Sequence, residues 1–71
     1  MKALFYPYNK CGYESCEVKV INRGKKFSIV SLTSKGKRDC NYFGYCVSDF
    51  AIGDVVCDTF KVFTDMLKFL K

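Results

Sequence analysis

Residues 16–33 constrain the fold more than any other stretch of the chain. Glu17 to Val20 alternates polar and apolar residues, which is the period of a strand with one solvated face. Asn22 to Gly24 then supplies turn-forming residues, and Phe27 to Thr33 is rich in residues that strands favour. The stretch therefore predicts a central β-hairpin. The alternation slips at Ile29-Val30, which indicates either a bulge or a strand covered on both faces.

Three further segments flank the hairpin or follow it. Lys2 to Tyr6 reads as a first strand, and Pro7, which lacks an amide donor, places that strand at an edge or ends it. Ser34 to Asp39 reads as a basic loop because it is polar and contains a glycine. Cys40 to Val47 reads as another strand, with a bulge or close approach at its glycine.

The C-terminal part of the chain fits two periodicities. Apolar residues at helical spacing favour one long helix that starts at Asp54; they are Val56, Phe60, Phe63, Leu67 and Leu70. The β-branched residues between 54 and 63 favour a strand instead, followed by a short helix capped by Thr64. Residues 65–71 are helical in both interpretations, and the persistence of the apolar stripe favours the long helix.

Together these segments predict a single small domain over residues 1–71 of the α+β class. Its sheet is antiparallel, has about four strands with the hairpin 16–33 at the centre, and is followed by a C-terminal helix. The alternative is a small SH3-like or OB-like β-barrel with a short terminal helix. Pro7 interrupts the first apolar run, and no run is long enough for a signal peptide or a membrane span, so we expect a cytoplasmic protein without membrane contact.

Aromatic residues are abundant for a chain of this length. They make up 17% of 71 residues, and a domain this small buries only about 60% of its extended-chain surface. Some rings should therefore lie at the surface, where tyrosine suits a partner interface. The predicted partner-binding residues follow the second basic segment or belong to it: Tyr42, Phe43, Tyr45, Lys37 and Arg38.

The net charge of +5 indicates an anionic partner, and nucleic acid is the alternative to protein. Two basic segments, each centred on a glycine, could bind phosphates without sequence preference; their residues are Arg23, Lys25, Lys26, Lys35, Lys37 and Arg38. Most of the basic residues are lysine, and residue types with A/T-rich codons are abundant. Such composition fits many bacteriophages and low-GC bacteria, and the short chain fits a phage accessory protein. Genome bias then accounts for part of the lysine content.

Five cysteines raise the question of a metal site. Cys11, Cys16, Cys40 and Cys46 could form a zinc-stapled module, although the spacing within each pair differs from that of a zinc knuckle. The odd count and the expected compartment disfavour disulfides. We therefore expect free thiols and no cofactor, with zinc as an alternative.

The chain contains no histidine, and its seven carboxylates form no signature spacing, so we do not expect an enzyme. The predicted function is that of a small non-enzymatic accessory protein that binds another protein, such as a phage-encoded modulator or inhibitor of a host factor. A nucleic-acid-binding module and a zinc-stapled interaction module are the alternatives. Self-association through the predicted C-terminal helix would use Val62, Met66 and Phe69.

Overall fold

The computed structural model describes residues 1–7, 15–44 and 46–70. Its elements, in chain order, are β1 (Lys2–Phe5), β2 (Cys16–Arg23), β3 (Phe27–Leu32), α1 (Ser34–Phe43), a 3₁₀ turn (Val47–Asp49), β4 (Thr59–Phe63), a second 3₁₀ turn (Thr64–Met66) and β5 (Leu67–Phe69). The five strands form one open antiparallel sheet in the order β4-β3-β2-β1-β5. The α+β prediction is confirmed. The barrel alternative is wrong because the sheet is not closed, and the sheet has one strand more than predicted.

The predicted hairpin is the pair β2 and β3 at the centre of the sheet. Val18 lies opposite Leu32 and Val20 lies opposite Val30. The register shifts between Val20 and Asn22, so the bulge is in β2 and not in β3. Ile29 follows normal alternation and lies on the less buried face, which accounts for the adjacent apolar residues in β3.

Alternation along each strand divides the sheet into an inner face and an outer face. The buried residues of the inner face form one apolar core: Ala3, Phe5, Cys16, Val18, Val30, Phe60, Val62 and Leu67. The rings of Phe5 and Phe60 meet edge to face at 5.8 Å between centroids. Cys40 of α1 belongs to the same cluster, so the helix covers part of the inner face.

Helix α1 occupies the predicted loop Ser34–Asp39 and the first part of the predicted strand Cys40–Val47. The loop prediction is wrong, and the strand prediction is wrong for its described residues, which leave out residue 45. Thr33 caps the first turn of α1 by accepting a hydrogen bond from the amide of Gly36 at 3.0 Å. Gly44 ends it in the left-handed conformation, with φ of 72°. Gly36 also lets the helix approach β2 closely, because a Cβ there would overlap the carbonyl oxygen of Glu17. Capping and packing therefore stabilise a segment of low helix propensity.

The predicted C-terminal helix is replaced by β4, a 3₁₀ turn and β5. Phe60 and Val62 point into the core while Lys61 and Phe63 point away from it, which is the two-residue period of a strand. β5 then pairs with β1, so the first strand is internal to the sheet and ends at Phe5. The helix stripe from Val56 to Leu70 is wrong, and the helix predicted over residues 65–71 is wrong for residues 65–70, since residue 71 lies outside the described part of the chain. Strand pairing with β3 and β1 satisfies the backbone here instead.

The face predicted for self-association does not form, because it required the C-terminal helix. Val62 is fully buried in the core, and Met66 and Phe69 pack against the core from different elements. These three side chains therefore form no common exposed face.

A closed ring of hydrogen bonds joins the hairpin tip to the end of β4. The amide of Gly24 donates to Oγ of Ser28 at 3.3 Å, and that hydroxyl lies 2.7 Å from Oγ1 of Thr64. Oγ1 of Thr64 donates to the carbonyl oxygen of Gly24 at 2.8 Å. Because Ser28 is 1% exposed, the ring satisfies a buried hydroxyl that would otherwise destabilise the sheet.

Candidate functional site

The C-terminal end of α1 carries the aromatic residues that were predicted to bind a partner. The side chain of Tyr42 is 85% exposed, and its ring meets the half-buried ring of Phe43 nearly at a right angle, with centroids 5.1 Å apart. Arg38 is exposed one turn earlier, on the same side of the helix as Tyr42. Tyr45 lies outside the described residues.

Carboxylates partly neutralise the lysines of α1. Lys37 Nζ lies 2.6 Å from Oδ2 of Asp58, and Lys35 Nζ lies 3.6 Å from Oδ2 of Asp39. Both pairs are partly exposed, so each contributes less than about 1 kcal/mol to stability. Among the described residues Arg38 has no ion-pair partner within 4.0 Å. The positive charge beside Tyr42 therefore comes chiefly from Arg38.

The two basic segments predicted to form a phosphate site lie at opposite ends of β3. Arg23, Lys25 and Lys26 are at the hairpin tip before Phe27, whereas Lys35, Lys37 and Arg38 are on α1 after Leu32. The length of β3 separates them by about 17 Å at 3.3 Å per residue. The structure therefore does not bring these six side chains into one patch.

The hairpin tip borders a depression of about 280 Å³ lined by Arg23, Gly24, Lys25 and Thr64. Two of its polar groups already have partners. The Arg23 guanidinium carbon lies 3.9 Å from the centroid of the Phe69 ring, and Thr64 belongs to the hydroxyl ring. Of the lining residues, Lys25 is therefore the main one available to bind a ligand, so this depression is not a preorganised anion-binding site.

The cysteines of the zinc alternative are distributed between the interior and the surface. Cys16 and Cys40 are buried in the core, whereas Cys46 is exposed and its Sγ lies 2.9 Å from Oγ of Ser48. Cys11 lies outside the described residues. Within the described parts of the chain, no three potential ligand side chains cluster as a metal ion requires.

The outer face of the sheet is a site that the sequence analysis missed. Its side chains are Lys2, Leu4, Glu17, Lys19, Phe27, Ile29, Ser31, Thr59, Lys61, Phe63 and Lys68. Helix α1 contributes Cys40 to the core on the opposite, inner face, and on the outer face Lys2, Lys19, Phe63 and Lys68 are exposed. An extra apolar residue, Ile21, is 56% exposed at the bulge in β2. The face was missed because β4, which contributes Lys61 and Phe63, was predicted as helix.

Two phenylalanine rings lie side by side on the outer face. Phe27 and Phe63 are directly opposite each other on β3 and β4, with ring centroids 5.2 Å apart and planes inclined at 36°. Nζ of Lys61 lies 4.7 Å from the centroid of the Phe27 ring, and Nζ of Lys26 lies 5.5 Å from it. Phe63 is 44% exposed, so aromatic surface and positive charge meet at one place.

Lysines continue across the outer face from β4 to β5. Lys19 lies directly opposite Lys2, and Lys68 is on the far edge strand. Among the described strand positions of this face, Glu17 is the one carboxylate, and its Oε1 lies 3.9 Å from Nζ of Lys2. The Glu17 carboxylate also accepts a hydrogen bond from Thr33 at 2.9 Å. The described strand positions of the outer face carry four lysines against this carboxylate, so their net charge is positive.

No helix in the described residues is long and apolar enough to cross a membrane. Comparisons with family models, with curated proteins and with solved structures found no match for this chain.

Proposed function

We propose that the protein is a non-enzymatic accessory protein that binds another protein through the C-terminal end of α1. The observation that supports this most directly is the 85% exposure of Tyr42, which stands beside a second aromatic ring. Tyrosine and arginine are enriched among the residues that dominate protein interfaces. The helix is anchored through Gly36 and Cys40, so Tyr42 is presented on a packed element.

The charge around Tyr42 specifies the partner's chemistry. Arg38 has no carboxylate partner among the described residues, and Lys37 shares its charge with Asp58. The matching surface is therefore an apolar pocket that receives the tyrosine ring, next to an acidic side chain that meets Arg38. The lysine-rich, A/T-biased composition supports a phage-encoded modulator of a bacterial host factor.

The test is a pull-down from nuclease-treated bacterial lysate, with the tagged full chain as bait and a photo-crosslinking residue in place of the neighbouring exposed Asn41. We expect Tyr42→Ala and Arg38→Gln each to reduce recovery of the crosslinked partner more than tenfold, as loss of a dominant interface residue does.

Ile21→Ser is the matched control, because it removes an exposed apolar side chain from β2 and leaves α1 unchanged. Circular dichroism verifies that each variant is folded. Equal recovery by wild type and Tyr42→Ala, or no protein above the bead background, contradicts the proposal.

A further inference from the structure

We propose that the outer face of the sheet binds single-stranded nucleic acid, with bases stacking on Phe27 and Phe63. This activity goes beyond the protein binding proposed for α1, and it uses different residues. The helix packs over the inner face, whereas both phenylalanines lie on the outer face. The two activities can therefore be lost independently.

The geometry of the aromatic pair fits base stacking. The two rings belong to adjacent strands, and their centroids are 5.2 Å apart. A sheet face that presents neighbouring aromatic rings is one recurring platform for unpaired bases, because every base has a flat π-surface. The bases of a duplex are already stacked on one another, so a single strand is the form that can use these rings.

The charge of the outer face fits the phosphate backbone. Lys61 and Lys26 lie over or beside the Phe27 ring, so phosphates flanking a stacked base would meet ammonium groups. Lys19 and Lys68 extend the positive charge across the sheet, and neither forms an ion pair within the described residues. Lysine meets phosphate as a point charge, so we expect binding with little sequence preference.

An acidic protein would satisfy the lysines of this face but would not use the exposed ring of Phe63. The face of an aromatic ring carries partial negative charge, so it repels a carboxylate, whereas a neutral planar base can stack on it. The combination of paired rings and surrounding ammonium groups therefore favours nucleic acid over an acidic polypeptide.

The experiment is fluorescence anisotropy with labelled oligo-dT and oligo-U of about 12 nucleotides, at about 50 and 200 mM salt. We expect wild type to bind both single strands more tightly than a duplex of the same length. Phe63→Leu should weaken binding about tenfold, whereas Phe63→Tyr, which keeps an aromatic ring, should retain it. Lys19→Gln should reduce the slope of log affinity against log salt by about 0.7.

The control variant is Lys37→Gln with Arg38→Gln, which removes two charges from α1 and should leave oligonucleotide binding within twofold of wild type. The proposal is overturned if neither single strand binds, if duplex binds equally well, or if polyglutamate competes as strongly as oligo-dT at equal charge. It is also overturned if Phe63→Leu, shown to be folded by circular dichroism, binds like wild type.

Discussion

Gly36 decides how closely α1 can lie against the sheet. Any larger residue would place its Cβ against the carbonyl oxygen of Glu17 and the side chain of Leu32. Helix propensity and packing therefore make opposite demands at this position, since alanine is the better helix former by about 1 kcal/mol.

We expect Gly36→Ala to destabilise the protein by at least about 2 kcal/mol, because the backbone oxygen cannot move without displacing β2. Urea unfolding followed by circular dichroism measures the change. Asn41→Ala, at an exposed position of the same helix, is the control and should be neutral or slightly stabilising. A stabilised Gly36→Ala variant would show that α1 does not approach β2 as described.

At the scale of elements, the turn that leads into β4 shows why the C-terminal region was mispredicted. Val56 and Thr59 exchange two backbone hydrogen bonds, of 3.0 and 2.9 Å, around Cys57 and Asp58. Both intervening residues have positive φ, 51° and 62°. That is the backbone sign of a two-residue type I′ hairpin turn, where asparagine and glycine are favoured and cysteine is not.

We expect Cys57→Asn to stabilise the protein by about 0.5–1 kcal/mol, because asparagine adopts the left-handed conformation at lower cost. Thermal unfolding under reducing conditions measures the gain. Cys46→Ser is the control, since it removes another exposed thiol from backbone that lacks positive φ. A gain of the same size in Cys46→Ser would assign the effect to thiol removal and not to the turn.

The sequence predicted elements whose determinants are local and missed those set by tertiary contacts. The hairpin of β2 and β3 follows from alternation and a turn that lie within one stretch. Helix α1 depends on a close approach to β2 at Gly36, which has no periodic signature, and the residue of its local cap, Thr33, was assigned to the preceding strand. Residues 59–63 fit a helix stripe and a strand equally, and pairing with β3 decides between them.

The candidate site follows the same division between local and tertiary determinants. The exposure of Tyr42 was anticipated from the surplus of aromatic residues, and the structure places that side chain at the surface. The pairing of Phe27 with Phe63 joins residues far apart in the chain and needed the correct assignment of β4. The alternation of residues 59–63 was a signal for that strand, but the helix stripe fitted the same residues, so the sequence alone did not decide between them.

At the scale of the whole molecule, positive charge is distributed unevenly. The ion pairs of Lys35 and Lys37 lie on α1, whereas the outer face carries Lys2 and Lys19 directly opposite each other on neighbouring strands. Like charges in that arrangement destabilise a sheet by a few tenths of a kcal/mol. The net charge of +5 adds a general self-repulsion of the chain to the repulsion between these two lysines.

We expect Lys19→Thr to raise stability by about 0.5 kcal/mol at low salt, and the gain to shrink as salt screens the Lys2–Lys19 repulsion. Thermal unfolding at low and high salt measures both effects. Lys68→Thr removes the same charge from a strand position opposite Leu4, so it controls for net charge and strand propensity. Equal gains in the two variants would attribute the effect to total charge and not to the facing lysines.

The ring of hydrogen bonds between Gly24, Ser28 and Thr64 also affects the geometry of the outer face of the sheet. Ser28 and Thr64, which form the ring, directly follow Phe27 and Phe63 in the chain, and β3 and β4 are registered so that those two phenylalanines face each other. The hydrogen bonds of Ser28 and Thr64 thus help to fix the separation of the Phe27 and Phe63 side chains before any ligand binds. A ligand that contacts both phenylalanine rings then requires no rearrangement of β3 and β4. The conformational entropy of aligning the two rings is lost during folding and not on binding.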